Sequence, residues 1–219
     1  MKIPVIRKLL ETNEEKSNLL RQKFDQNKTL VLNLISSPGA GKTTLLEKTL
    51  NALKSELRMA VIEGDIQTTK DAERIANTGV ATVQINTEGA CHLDSNMIFA
   101  ATKELDTNNL DVLFIENVGN LVCPAEFKVG EDYKIAILSI PEGDDKPEKY
   151  PLLFSEAKVL ILNKIDLLPY LDFDVERVKK VIKGLNKDIE IFLLSAKTGE
   201  GIDEWLNWIK NQAKMKKQK

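Results

Sequence analysis

From Thr29 onward, short apolar runs alternate with longer amphipathic ones. TLVLNLI, MAVIEGD, ATVQIN, DVLFIEN, KIAILSI, AKVLILNK and IEIFLLS are apolar almost throughout, and helical patterns lie between most of them. Strands that are apolar on both faces and separated by helices belong in a mainly parallel sheet covered on both sides. The spacing therefore predicts a three-layer α/β domain over residues 29–213. Residues 1–28 read differently: Ile3, Ile6, Leu9, Leu10, Leu19, Leu20 and Phe24 are spread among Lys, Glu and Asn. That pattern predicts an N-terminal extension of one amphipathic helix, or of two separated by a break near Thr12 and Asn13, lying on the main domain or on a partner.

Composition changes this picture little. A chain of 219 residues with 42% apolar and 29% charged residues has ordinary globular composition and is long enough to bury a substantial core. The net charge of −2 leaves no broad electrostatic footprint for nucleic acid or an anionic membrane. The basic run KMKKQK, residues 214–219, is the exception and reads as a frayed, solvated tail. No apolar run approaches the roughly 20 residues that span a bilayer, and Arg7 and Lys8 interrupt any signal-peptide core. A cytoplasmic location is expected. In a reducing compartment the two cysteines, Cys91 and Cys123, are expected as free thiols or metal ligands rather than a disulfide.

The most specific chemistry follows the first strand. SSPGAGKTTLLEKTL has the strand–loop–helix order of a P-loop, with Gly41, Lys42 and Thr43 at the pattern positions and Ser36 where the first glycine usually stands. Gly39, Ala40 and Gly41 can present backbone N–H groups to phosphate oxygens, Lys42 supplies a point charge, and Thr43 offers a hydroxyl to Mg²⁺, with Thr44 beside it. The domain is accordingly expected to have the P-loop NTPase fold.

Further on, VLILNKIDLLP places Asn163, Lys164 and Asp166 at the end of an apolar strand. A carboxylate there accepts hydrogen bonds from N1–H and the exocyclic amine of guanine, whereas adenine would leave polar groups mismatched. Ser195, Ala196 and Lys197 in IFLLSAKTGEG can pack against the same base. Two acidic segments lie between. EGDIQTTKDAER carries Asp65 just past a strand and Asp71 at a helix start; LFIENVGN carries Glu116 and Gly119. Asp65 and Glu116 are candidates to hold Mg²⁺, Gly119 to bond the γ-phosphate through its N–H, and Lys42, Asp71 and Glu116 to serve hydrolysis. Asp71 can orient the attacking water or simply stabilise the helix start. Small GTPases generally have Asp where Glu116 stands. Arg58 and Arg74 are the nearest candidates for an arginine finger, and neither position compels that role, so slow hydrolysis is expected.

Taken together, SSPGAGKTT, EGD, CHLD, IENVGNLVCP, EGDDKPEKYP, NKIDL and SAKTGEG make residues 29–210 resemble the HypB family of hydrogenase nickel-incorporation GTPases, a dimerising P-loop class. The resemblance implies a GTP-hydrolysing metallochaperone that works as a homodimer with a HypA-type nickel-binding protein to load nickel into the [NiFe]-hydrogenase large-subunit precursor. It also implies metal ligands at Cys91, His92 and Cys123, near a dimer interface, and a reach of Lys149 toward the nucleotide of the other subunit. On the residues alone, a Cys-His pair is more often core filling. Here it stands at the predicted N-terminus of the helix HLDSNMIFAATKEL, where the dipole favours a thiolate. Three ligands are one short of a closed tetrahedral zinc site, which suits a metal that must leave. Cys and His serve both Ni²⁺ and Zn²⁺. Asp94 can orient His92 or cap the helix. Residues 1–28 hold neither Cys nor His, so no N-terminal nickel cluster lies within them. The other readings are a zinc-stapled dimeric scaffold and an accessory GTPase for another metalloenzyme, such as urease, against which CHLD and NLVCP argue.

Overall fold

A computed structural model describes residues 5–66 and 68–218, with side chains from residue 11 onward. Ile3 and the side chains of Ile6, Leu9 and Leu10 lie outside what it describes. All seven predicted strands form: β1 (Leu30–Ser36), β2 (Met59–Asp65), β3 (Ala81–Asn86), β4 (Val112–Glu116), β5 (Tyr133–Ser139), β6 (Val159–Asn163) and β7 (Glu190–Leu194). They make one sheet in the order β3-β2-β4-β1-β5-β6-β7, every pairing parallel. β1 is buried at every position, which its continuous apolar run requires of a central strand covered on both faces.

Alternate residues of β1 face opposite layers. Leu30, Leu32 and Leu34 pack with Leu45, Leu46 and Leu50 of α2 (Lys42–Leu53) and with Trp205 and Ile209 of α9 (Ile202–Gln218). Val31 faces the other side, where Leu20 and Phe24 of α1 (Val5–Gln26) and Ile98 of α4 (Ser95–Ala101) cover it. The strand order reverses across β1, between β4 and β5. In open parallel sheets the crevice at such a reversal, beyond the strand C-termini, is where ligands bind.

Of the one or two helices expected at the N-terminus, the structure has one, unbroken at Thr12 and Asn13: Asn13 sits inside α1 with its carboxamide bonded to the Ser95 N–H at 2.8 Å and to the Lys128 carbonyl at 2.9 Å. Two other features differ from expectation. The basic run is not a frayed tail through residue 218. It forms the end of α9, where Lys216 is 9% exposed and bonded to Asp132 at 2.7 Å and to Asp25, while Lys217 pairs with Asp111. The helix read from His92 begins instead at Ser95, capped by Asp94, so Cys91 lies in the preceding loop and not in a helical first turn.

Among the described residues no helix is long and apolar enough to cross a membrane. Because Phe24 is fully buried in the sheet's own core, Phe24→Ala is expected to lower the unfolding free energy by about 3–5 kcal/mol. A urea midpoint shifted by the equivalent of less than about 1 kcal/mol would show that α1 is not part of that core.

Candidate functional site

The strand C-termini converge on a cavity of about 400 Å³ lined by Gly39, Lys42, Thr43, Asp65, Asp71 and Glu116 among others. The loop before α2 is shaped by Gly41, whose φ of 100° is a left-handed conformation and whose missing Cβ would stand 2.5 Å from the Asn163 amide nitrogen. Lys42 is buried and donates to the Ser36 hydroxyl at 2.8 Å. Serine at the first glycine position thus parks the lysine amine. Burial pulls the Lys42 pKa down, opposed chiefly by the Glu116 carboxylate. Gly119 packs on the same loop, since a Cβ there would come within 2.9 Å of Pro38.

The Thr43 hydroxyl donates to Glu116 Oε1 at 2.7 Å, while buried Glu116 Oε2 has no partner. Burial raises the Glu116 pKa to about 7. Its neighbour in the sheet register is Glu63, also buried and with Oε2 unpartnered, whose pKa is raised to about 8 by burial and then by Glu116. Two buried carboxylates, each with an open oxygen, beside a threonine hydroxyl make a site that fits a hard divalent cation such as Mg²⁺. Glu63 was not singled out from sequence. Its signal was there: a carboxylate inside an otherwise apolar strand.

Asp71 lies in α3 (Lys70–Ala76), two residues past its Thr69 N-cap, and bonds Arg74 at 3.2 Å. Arg74 also reaches the Thr44 hydroxyl at 3.1 Å and pairs with Glu47, so it stands at the rim of the cavity. Arg58 does not: it pairs with Asp111 at 3.2 Å, just before β2 and at the opposite end of the sheet.

A second cavity, about 270 Å³, adjoins the first and is lined by Asn163, Lys164, Asp166, Ala196 and Lys197. Asn163 braces it, accepting from the Ala196 N–H at 3.0 Å and donating to the Ala40 carbonyl at 2.8 Å. Lys164, at φ 64°, donates to the Gly39 carbonyl at 2.7 Å. Asp166 Oδ1 is buried without a hydrogen-bond partner. The Ser195 hydroxyl accepts from the Thr198 N–H at 3.2 Å and shapes the loop.

Cys91, His92 and Cys123 come together, their ligand atoms all within 4.8 Å of one another. The sulfurs are 3.1 Å apart, and Cys91 Sγ lies 3.7 Å from His92 Nδ1. Burial lowers the His92 pKa, which favours the neutral, ligating imidazole, and the ring packs against Phe127 at 4.0 Å between centroids. The hydrogen bond with Cys91 is the first cause that raises the Cys123 pKa. Asp94 accepts from the Met97 N–H at 2.8 Å, so it caps α4. Lys149 is exposed and pairs with Asp145 in its own chain.

A family described as "CobW/HypB/UreG, nucleotide-binding domain" matches residues 30–193. The "Hydrogenase maturation factor HypB" of Escherichia coli K12 is 53% identical over 204 residues, covering 93% of this chain and 70% of that protein. The "Hydrogenase/urease maturation factor HypB" of Helicobacter hepaticus is 45% identical, covering 96% of this chain and 88% of the relative. A crystal structure of HypB from Helicobacter pylori in complex with nickel superimposes with a TM-score of 0.88 at 38% identity, covering 93% of this chain and 96% of that one.

The raised carboxyls set a sign for pH. Upward shifts from 4.5 mean that the folded, nucleotide-free chain holds protons the unfolded chain has released, so this contribution to stability falls as pH rises through about 7 and 8. Thermal melts of the nucleotide-free protein between about pH 5.5 and 8 are expected to be less pH-dependent in Glu63→Gln than in wild type. Equal slopes would contradict the assignment.

Proposed function

The chain belongs to the HypB family of CobW/HypB/UreG nucleotide-binding proteins, and from that premise we propose that it is a cytoplasmic GTPase that loads nickel into [NiFe]-hydrogenase. The observation that carries the reading is the meeting of Cys91, His92 and Cys123 beside a P-loop whose base cavity holds an unsatisfied carboxylate, Asp166.

The geometry supports a role for each residue. The loop Gly39–Ala40–Gly41 wraps the phosphates with its N–H groups, and Lys42 leaves Ser36 to meet them, recovering through their charge what burial takes from its own. Thr43 and Asp65 would hold Mg²⁺, with Glu116 acting through water, and a divalent cation there would supply positive charge to offset that of the phosphates. Gly119 offers its N–H to the γ-phosphate. Asp71 orients the attacking water once released from Arg74, and Arg74, rather than Arg58, is the arginine placed to act on Thr44 and the phosphates. Asp166 reads guanine, with Ser195, Ala196 and Lys197 closing over the base.

Nickel is cargo. Two sulfurs and an imidazole leave a coordination position for a ligand from a second subunit, a HypA-type donor or the hydrogenase large-subunit precursor. Lys149, paired internally here, is available to the nucleotide of a second subunit in a homodimer. A second recipient, urease, is favoured by the Helicobacter hepaticus relative, whose name includes it. A zinc-stapled scaffold is the reading in which the metal does not leave.

Asp166→Ala is expected to weaken GDP binding by about 100-fold or more and to abolish the preference over ADP, since it removes the side chain proposed to accept two hydrogen bonds from the base. Nickel titration of the same protein should give a stoichiometric site that Cys91→Ala and Cys123→Ala each disrupt. Retained guanine preference in Asp166→Ala, or retained nickel binding in both cysteine variants, would contradict the reading.

A further inference from the structure

Asn117 comes directly after Glu116 and is 1% exposed. Its Oδ1 accepts two backbone N–H groups, from Leu93 at 3.0 Å and from Val118 at 3.0 Å. Its Nδ2 donates to Asn33 Oδ1 at 3.2 Å, and the Asn33 amide in turn reaches Glu131 Oε1 at 3.5 Å. This chain fixes which way the Asn117 amide points: reversing it would set an NH₂ against two N–H donors and a carbonyl against an acceptor. Leu93 is held from the other side as well. Its side chain occupies the space left by Gly64, where a Cβ would meet it at 2.7 Å, between Glu63 and Asp65 at the end of β2.

We propose that Asn117 is a positioning residue that makes the Cys91–His92 loop move with the nucleotide-sensing segment 116–119. The inference deepens the function proposed above and rests on nickel binding at the three-residue cluster. Glu116 contacts Thr43 of the P-loop, and Gly119 lies against Pro38, so a change at the phosphates displaces the backbone that carries Asn117. Asn117 cannot move away from Leu93 without stranding a buried N–H donor, so Leu93 and its neighbours His92 and Cys91 move with it. Cys123 stands further along the same chain segment. One residue thus transmits to both thiols, to Cys123 through the backbone and to Cys91 through its side chain. Asn120 adds a second tie, from its amide to the Cys91 carbonyl at 3.2 Å, but this one is exposed and water competes for it.

Amide hydrogen exchange on the metal-free wild-type protein, with GDP and then with a non-hydrolysable GTP analogue, reads the tie directly. The Leu93 and Val118 amides are expected to change protection together; a Leu93 amide indifferent to the nucleotide overturns the proposal. Nickel dissociation constants at saturating GDP and at saturating analogue give the consequence. Wild type is expected to show a ratio of about 5-fold or more, and Asn117→Ala a ratio within about 2-fold of unity. An Asn117→Ala protein that keeps the wild-type ratio overturns the proposal. If that variant does not fold, the exchange result decides alone. A wild-type ratio of unity beside a nucleotide-sensitive Leu93 amide would instead sink the nickel-coupling reading and leave the tie standing.

Discussion

The hydrogen bond from Thr43 to Glu116 joins the first turn of α2 to the end of β4 inside a buried cavity. Much of the site depends on it. It brings the two elements together at the cavity that both line, and it leaves the other oxygen of Glu116 without a partner. The sheet register sets Glu63 beside Glu116, so the cavity floor carries two carboxyls that burial keeps protonated more readily than free ones. Burial thus pulls the lysine of the site toward neutrality and its acids toward the protonated form.

The segment beyond β4 turns that site into more than a phosphate cradle. Within seven residues the chain passes from Glu116 to Cys123, and the side chain of Asn117 reaches back to the segment that carries Cys91 and His92. The stretch 116–123 thereby lines the cavity, carries Cys123 and holds the Cys91–His92 segment through Asn117. α1 secures the arrangement from behind: Asn13 bonds both Ser95, at the start of the helix after the Cys91 loop, and Lys128, shortly after Cys123. A helix that looks in sequence like an appendage holds both halves of the cluster.

Legibility in the sequence varied with the range of the interaction. The seven strands are readable because a buried parallel strand must be apolar on both faces, and the segments that line the two adjoining cavities because each is a short contiguous pattern. Cys91 and Cys123 are 32 residues apart, and their meeting was expected only from a family resemblance, since no local rule predicts it. The start of α4 was misplaced because the apolar pattern runs past Asp94, whose side chain stops it by capping. The end of α9 was misread because a run of lysines looks solvated until the partners Asp25, Asp111 and Asp132, from three distant segments, are in view. Glu63, Asn33 and Asn117 were overlooked for a related reason. Each is a polar residue in or beside an apolar strand, and its purpose appears only when the neighbouring strand is placed.

In the function proposed above, the nucleotide cavity and the Cys91, His92 and Cys123 cluster work as one machine. The most direct measurement is light scattering of the wild-type protein with nickel and either GDP or a non-hydrolysable GTP analogue, with free nickel measured in the same samples. The analogue is expected to raise the mass toward a dimer and to change the amount of nickel bound. Mass and bound nickel that are both indifferent to the nucleotide would contradict that function.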